Sequence, residues 1–156
     1  MYDELLSTTN MDLPTIALRL VLAAVLAGLI GLEREWRGKP AGLRTYTLVG
    51  LGAAGFFLLT MEFMLGPMNE REDLALDPTR IFEGVITGIG FLGAGAIIQG
   101  QRDVKGLTTG AGIWVAGAVG LACGGGYFLL AGFIAVLALV VLFFLGLIEH
   151  HYIDPS

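Results

Sequence analysis

An aspartate, an arginine and a glutamate stand three residues apart at the head of an apolar, glycine-rich run. They are Asp77, Arg80 and Glu83 in DPTRIFEGVITGIGFLGAGAII, residues 77–98. In hydrocarbon each such group costs several kcal/mol unless it is paired or hydrated. Asp77 and Pro78 together make a good helix start, the acid as a cap and the proline at the first helical position. Arg80 fits that first turn poorly, because the positive end of the helix dipole disfavours a cation there. An anionic partner for Arg80 is therefore expected. Two arrangements answer to this pattern. One is an ion-pair network that closes the end of the helix. The other is a cation or proton site with Asp77 and Glu83 as the ligands and Arg80 as an internal counter-ion. Magnesium prefers hard oxygens and gives up water reluctantly, so two carboxylates plus waters suffice only for weak Mg2+ binding.

A second charged constellation, Glu33, Arg34, Glu35, Arg37, Lys39 and Arg44, lies between two apolar runs. Glu33 and Arg37 have the i, i+4 spacing of a helical ion pair, provided the preceding helix continues that far. Pro40 and Gly42 are then expected to turn the chain. This motif either anchors the topology against anionic lipid headgroups or docks a cytoplasmic or membrane partner. Glu70, Glu72 and Asp73 read as a solvated acidic loop, and Glu62 as a residue able to face the charged mouth at Asp77. His150 and His151 lack a third ligand nearby in sequence and read as solvated.

The elements that must position these groups are membrane spans. The chain has 156 residues, 55% hydrophobic and 15% charged, with 24 glycines. A soluble domain carries about a quarter charged residues. A span needs roughly 20 mostly apolar residues, and five segments qualify: Pro14–Leu32, Tyr46–Leu65, Ile81–Ile98, Leu107–Cys123 and Tyr127–Ile148. The expected fold is all-α, a polytopic membrane bundle of five transmembrane helices. It occupies residues 14–148, between a short outer tail (1–13) and a short cytoplasmic tail (149–156). The acidic start lacks the basic region of a secretory signal, so no cleavage is expected. Six of the nine basic residues fall in the loops after spans one and three. By the positive-inside rule these loops are cytoplasmic, the N-terminus outside and the C-terminus inside. Arg19, shallow in span one, either snorkels to the headgroups or pairs with an outer acid.

A shift of 64 positions aligns Gly31 with Gly95, Gly42 with Gly106, Leu43 with Leu107 and Thr45 with Thr109. This is either a pair of parallel two-helix repeats with span five added or chance matching between glycine-rich stretches. Thr45 and Thr109 are expected as helix caps. Gly84, Gly88 and Gly95 form a stripe, and Gly84–Gly88 and Gly106–Gly110 have the small-xxx-small spacing that lets helices approach. The stripe serves packing within the bundle, a homodimer seam or a narrow polar path.

The segments GLEREWRGKPAGLRTYTLVGLGAA (31–54), DPTR with GIGFLGAGAII (77–98) and KGLTTGAGIWVAGAVGLACGGG (105–126) resemble the MgtC/SapB family. The resemblance implies a bacterial inner-membrane protein of five spans, linked to adaptation to low magnesium and, in pathogens, to survival inside host cells. Members have been described as magnesium transporters. A competing view makes the best-studied branch, which usually carries a cytoplasmic domain after span five, a regulator that restrains the F-type ATP synthase; no such domain is expected here. The resemblance highlights Glu33, Arg34, Lys39, Arg44, Asp77 and Arg80.

Other classes are disfavoured. The net charge of -5 argues against nucleic acid. Ser7 and Ser156 are the only serines, no phosphate-cradling loop is present and Cys123 stands alone, so no enzyme, ATP-driven pump or thiol site is expected. No cofactor is expected beyond weakly held Mg2+. The expected partners are the lipid bilayer, further copies in a homodimer or higher homo-oligomer, and a membrane protein partner. Two functions remain: ion transport, and non-transporting regulation through a partner.

Overall fold

The structure is a computed structural model and describes residues 9–66, 78–99 and 104–152. Five helices run through these residues: α1 (Leu13–Trp36), α2 (Leu43–Leu65), α3 (Pro78–Gly95), α4 (Leu107–Gly124) and α5 (Phe128–Tyr152). Of these α1, α2 and α4 are long and apolar enough to cross a membrane, and α3 and α5 contain the shorter apolar stretches Phe82–Gly95 and Phe128–Phe144. The all-α expectation needs one amendment. The loop between α3 and α4 contains a minimal antiparallel pair, β1 (Ile98–Gln99) with β2 (Val104–Lys105), in the register Ile98↔Lys105. The helix expected for span three therefore ends at Gly95, before the strand begins.

α4 is the central helix and packs against all four others. Its sequence explains the position. Between lipid-solvated helices there is little hydrophobic drive, so association rests on close van der Waals packing, which small residues permit. Gly112, Ala116, Gly117, Gly120 and Gly124 of α4 are all buried. A Cβ at Gly50 of α2 would lie 2.5 Å from the Ala27 Cβ and 3.0 Å from the Ala23 carbonyl oxygen of α1. A Cβ at Gly120 would collide with the Gly50 carbonyl. The core is completed by Ala23, Ala27, Ile30, Ala54, Val119 and Ala131, all fully buried. Large side chains such as Phe56, Phe91, Leu129 and Phe133 point outward, as a lipid-facing surface requires.

Helix boundaries follow local chemistry. Asp12 caps α1, accepting from the Thr15 amide at 3.1 Å and the Thr15 hydroxyl at 2.9 Å. These bonds, the hydroxyl's first, hold the Asp12 carboxyl below the usual carboxylate range. α1 runs four residues beyond the expected span end, to Trp36, and the chain then turns at Gly38, where φ is +62°. The threonines at 45 and 109 do not cap: α2 and α4 have Gly42 and Gly106 at their N-caps, without a side-chain cap bond. Glu35 takes that role for α2, its carboxylate accepting from the Leu43 amide at 2.8 Å.

Among the described residues Arg19 makes no ion pair with an acid. Its guanidinium donates to the Gly124 carbonyl at 2.7 Å, at the C-terminus of α4. A cation there complements the negative end of the helix dipole. Arg19→Met is expected to lower stability by about 1–2 kcal/mol, read as a drop in the melting temperature of the detergent-solubilised protein. An unchanged melting temperature would show that this contact contributes nothing.

Candidate functional site at the basic end of the bundle

The extension of α1 brings Glu33, Arg34 and Arg37 into one helical turn at the end of the bundle that carries the basic loop. Arg34 donates to Glu33 through Nε at 2.5 Å and Nη2 at 2.8 Å. Arg37 approaches the other side of the same carboxylate, its Nε 2.6 Å from Glu33 Oε1. Glu33 is 9% exposed and Arg34 3%. Both carboxylate oxygens are thus engaged, and the group has little capacity left for a metal. Arg37 reaches across to α5, where it donates to the Phe143 carbonyl at 3.3 Å and lies 5.4 Å above the Phe143 ring.

Beside this cluster stands Tyr46 of α2, fully buried. Its ring lies over Gly112 of α4, and its hydroxyl donates to the Thr109 carbonyl at 3.3 Å. Glu33, Arg34, Arg37, Tyr46 and the Glu35 cap therefore tie the ends of α1, α2, α4 and α5 together. A Gly31 side chain would meet Tyr46 Cβ at 2.7 Å and the Gly42 carbonyl at 2.8 Å, so α1 and α2 can close here only over glycine. Lys39 on the connecting loop and Arg44 in the first turn of α2 are both exposed. Of the six charged residues in the motif, Glu35, Lys39 and Arg44 are exposed, Arg37 is half-buried, and Glu33 and Arg34 are buried.

The opposite end holds the other constellation. Arg80 and Glu83 are exposed on the first turns of α3, and among the described residues no ion pair joins them. Asp77 lies outside the described residues, as do Glu70, Glu72 and Asp73. Among the described residues no group of three or more His, Cys, Asp or Glu could hold a metal ion. Glu62 is engaged by the segment before α1, accepting from the Asn10 amide at 2.6 Å, the Asn10 side chain at 3.0 Å and the Met11 amide at 3.0 Å. The mouth at Asp77, which Glu62 was expected to be able to face, lies outside the described residues.

The glycine stripe divides. Gly84, Gly88 and Gly95 have nothing within 4 Å of where a Cβ would be, so they make no close helix contact within the described chain. The close approach of α3 to α4 uses Gly93 instead, whose Cβ would lie 3.0 Å from the Gly110 carbonyl oxygen. Gly110 is buried as a packing residue, and Gly106 adopts φ +89° at the start of α4. The offset arises because α3 touches the bundle through the face of Ile89 and Gly93, leaving the 84–88–95 face outside.

Sequence reasoning missed Tyr46, Thr109 and the Arg19 contact. Gly112 gave the only local hint, since a helix this rich in glycine must receive bulk from a neighbour.

The sequence model of the MgtC family matches residues 20–151. The chain belongs to the MgtC family. It is 43% identical over 125 residues to YhiD of Escherichia coli K12, which is named a candidate magnesium transporter; the match covers 80% of this chain and 58% of YhiD. It is also 43% identical over 111 residues to protein MgtC of Salmonella typhimurium LT2, covering 71% of this chain and 44% of that protein. The chain thus spans about half the length of these MgtC-family relatives. No solved structure matches it significantly.

Proposed function

We infer that the chain is a multi-pass bacterial inner-membrane protein that supports magnesium homeostasis when magnesium is scarce. The observation carrying this reading is MgtC-family membership across residues 20–151, together with a relative named for magnesium transport. In this reading α3 and α5 cross the bilayer with α1, α2 and α4, the basic end is cytoplasmic and the N-terminus is outside. Magnesium meets the chain at the outer mouth of α3, where Asp77 and Glu83 offer hard oxygens to a hydrated ion. The outward face of Gly84, Gly88 and Gly95 supplies a seam between copies of the chain.

A second reading has one observation in its favour. α2 and α4 meet backbone to backbone at Gly50 and Gly120, and such a seam leaves no room for a hydrated divalent ion. This favours a non-transporting regulator acting on a membrane partner such as the F-type ATP synthase.

Topology is tested by cysteine labelling in intact cells. Lys39→Cys is expected to be shielded from an impermeant thiol reagent, and Tyr127→Cys, in the exposed turn between α4 and α5, to react. The reverse pattern would invert the orientation. Function is tested by growth complementation at low magnesium beside magnesium flux in liposomes. Asp77→Asn is expected to abolish growth support at unchanged membrane abundance. Full growth support by this variant would remove the cation site, and growth support without flux would select the regulatory reading.

A further inference from the structure

α1 and α5 pack together less extensively than α1 and α2 do, and toward the basic end a gap lies between them. The gap is a partly open cleft of about 550 Å³, within the roughly 300–1,000 Å³ of small-ligand sites. Leu29 and Leu32 of α1 and Leu139 and Val140 of α5 form its walls, and Phe143 and Phe144 its floor. At its charged end lie Glu33 and Arg37, with Trp36 beside them, 79% exposed. The cleft is independent of the magnesium reading, and neither the family match nor the ion cluster explains it.

The geometry points to a binding site for an anionic phospholipid, one acyl chain lying in the cleft and the phosphate at Arg37. The walls are aliphatic and aromatic along their length and turn polar at one end only, the pattern of a chain with a head. The charge at that end has the right sign. Glu33 is neutralised by Arg34 and Arg37, and the neighbouring Lys39 and Arg44, on the loop and the first turn of α2, are exposed. Arg37 has five N–H donors. Nε faces Glu33 and Nη2 donates to Phe143, whereas Nη1 lies against Gly146 of α5, where a Cβ would approach it to 2.8 Å, and makes no hydrogen bond among the described residues. These contacts leave N–H donors of Arg37 unused, and a phosphate oxygen can accept from one of them. Trp36 stands where an indole ring favours the headgroup level. A packed protein helix would cover the apolar walls but would bring no anion to that depth, so charge complementarity selects the lipid.

The site carries its own reporter. In a Trp114→Phe background Trp36 is the sole tryptophan, and phospholipids with brominated acyl chains quench its fluorescence on contact. The full chain is reconstituted in vesicles, with brominated phosphatidylglycerol competing against brominated phosphatidylcholine. The expected result is a several-fold preference for phosphatidylglycerol at Trp36. Arg37→Gln is expected to bring this preference close to parity. Val140→Phe fills the cleft while leaving the ion cluster untouched, and is expected to reduce quenching by both lipids. Lys39→Gln with Arg44→Gln is expected to retain most of the preference. Equal quenching by the two lipids would overturn the proposal. So would a preference abolished by the Lys39/Arg44 pair and unaffected by Arg37→Gln, which would mark diffuse attraction to the loop. Weak quenching by every lipid would overturn it too, assigning the cleft to a protein partner or a second copy.

Discussion

Gly120→Val is expected to prevent assembly of the bundle, whereas Gly88→Val leaves each chain folded. The two glycines look alike in sequence, both in apolar helices with small neighbours. Their surroundings differ completely. A Cβ at Gly120 would collide with the Gly50 carbonyl and approach the Ala53 Cβ at 2.9 Å. The obstacle is backbone, which no rotamer change can move, so α2 and α4 would have to separate. That separation loses the seam holding the central helix, at an expected cost of at least about 3 kcal/mol. At Gly88 the added side chain meets nothing within 4 Å. Valine there replaces a weak helix former. Both variants are read by size-exclusion profile and melting temperature in detergent. A stable, monodisperse Gly120→Val would show that α2 and α4 do not meet at Gly50. Gly88→Val carries further information: a folded chain with a changed oligomer size would identify the outward face as a seam between copies, and an unchanged profile would leave that face to lipid.

This contrast also marks where the sequence is readable. Composition and run length are properties of whole segments, so the helical, membrane-embedded character and the approximate ends of all five helices were legible. The i, i+4 relation of Glu33 and Arg37 was legible too, because it depends only on helical geometry and on α1 continuing. Which face of α3 meets the bundle was not. Gly84, Gly88, Gly93 and Gly95 offer several small-residue faces, and the choice depends on the shape of α4, which presents Gly110 and Gly117 to Gly93 and Ile89. The Arg19 contact with Gly124 was not legible for a related reason. Its partner is a backbone carbonyl at the end of another helix, and no residue type in the sequence announces a free carbonyl. Tyr46 was passed over because an aromatic residue in an apolar run attracts no notice until its hydroxyl is found beside Thr109.

Glu33→Gln is expected to destabilise the protein more than any other single change in the charged motif. The substitution keeps the side chain's size and removes only its charge, so no cavity accounts for the effect. Arg34 is almost completely buried and both its observed side-chain bonds go to Glu33. Without that carboxylate it becomes an uncompensated charge in a poorly hydrated place. Breaking one partner of a buried pair costs about 3–5 kcal/mol, chiefly through the charge left behind. Arg37→Gln should be much milder. Arg37 is 27% exposed at the side chain, and water can screen what remains. A partly exposed i, i+4 pair contributes about 1 kcal/mol or less. The decisive experiment is a double-mutant cycle over Glu33→Gln and Arg34→Gln, scored by denaturant midpoint in detergent. Residues coupled this closely are expected to depart from additivity by about 0.5–3 kcal/mol. The double variant should therefore be less damaged than the sum of its parts, since it removes both charges and strands neither. Additive losses would show that Glu33 and Arg34 act separately, and that the basic end is held instead by Tyr46 and the Glu35 cap on α2.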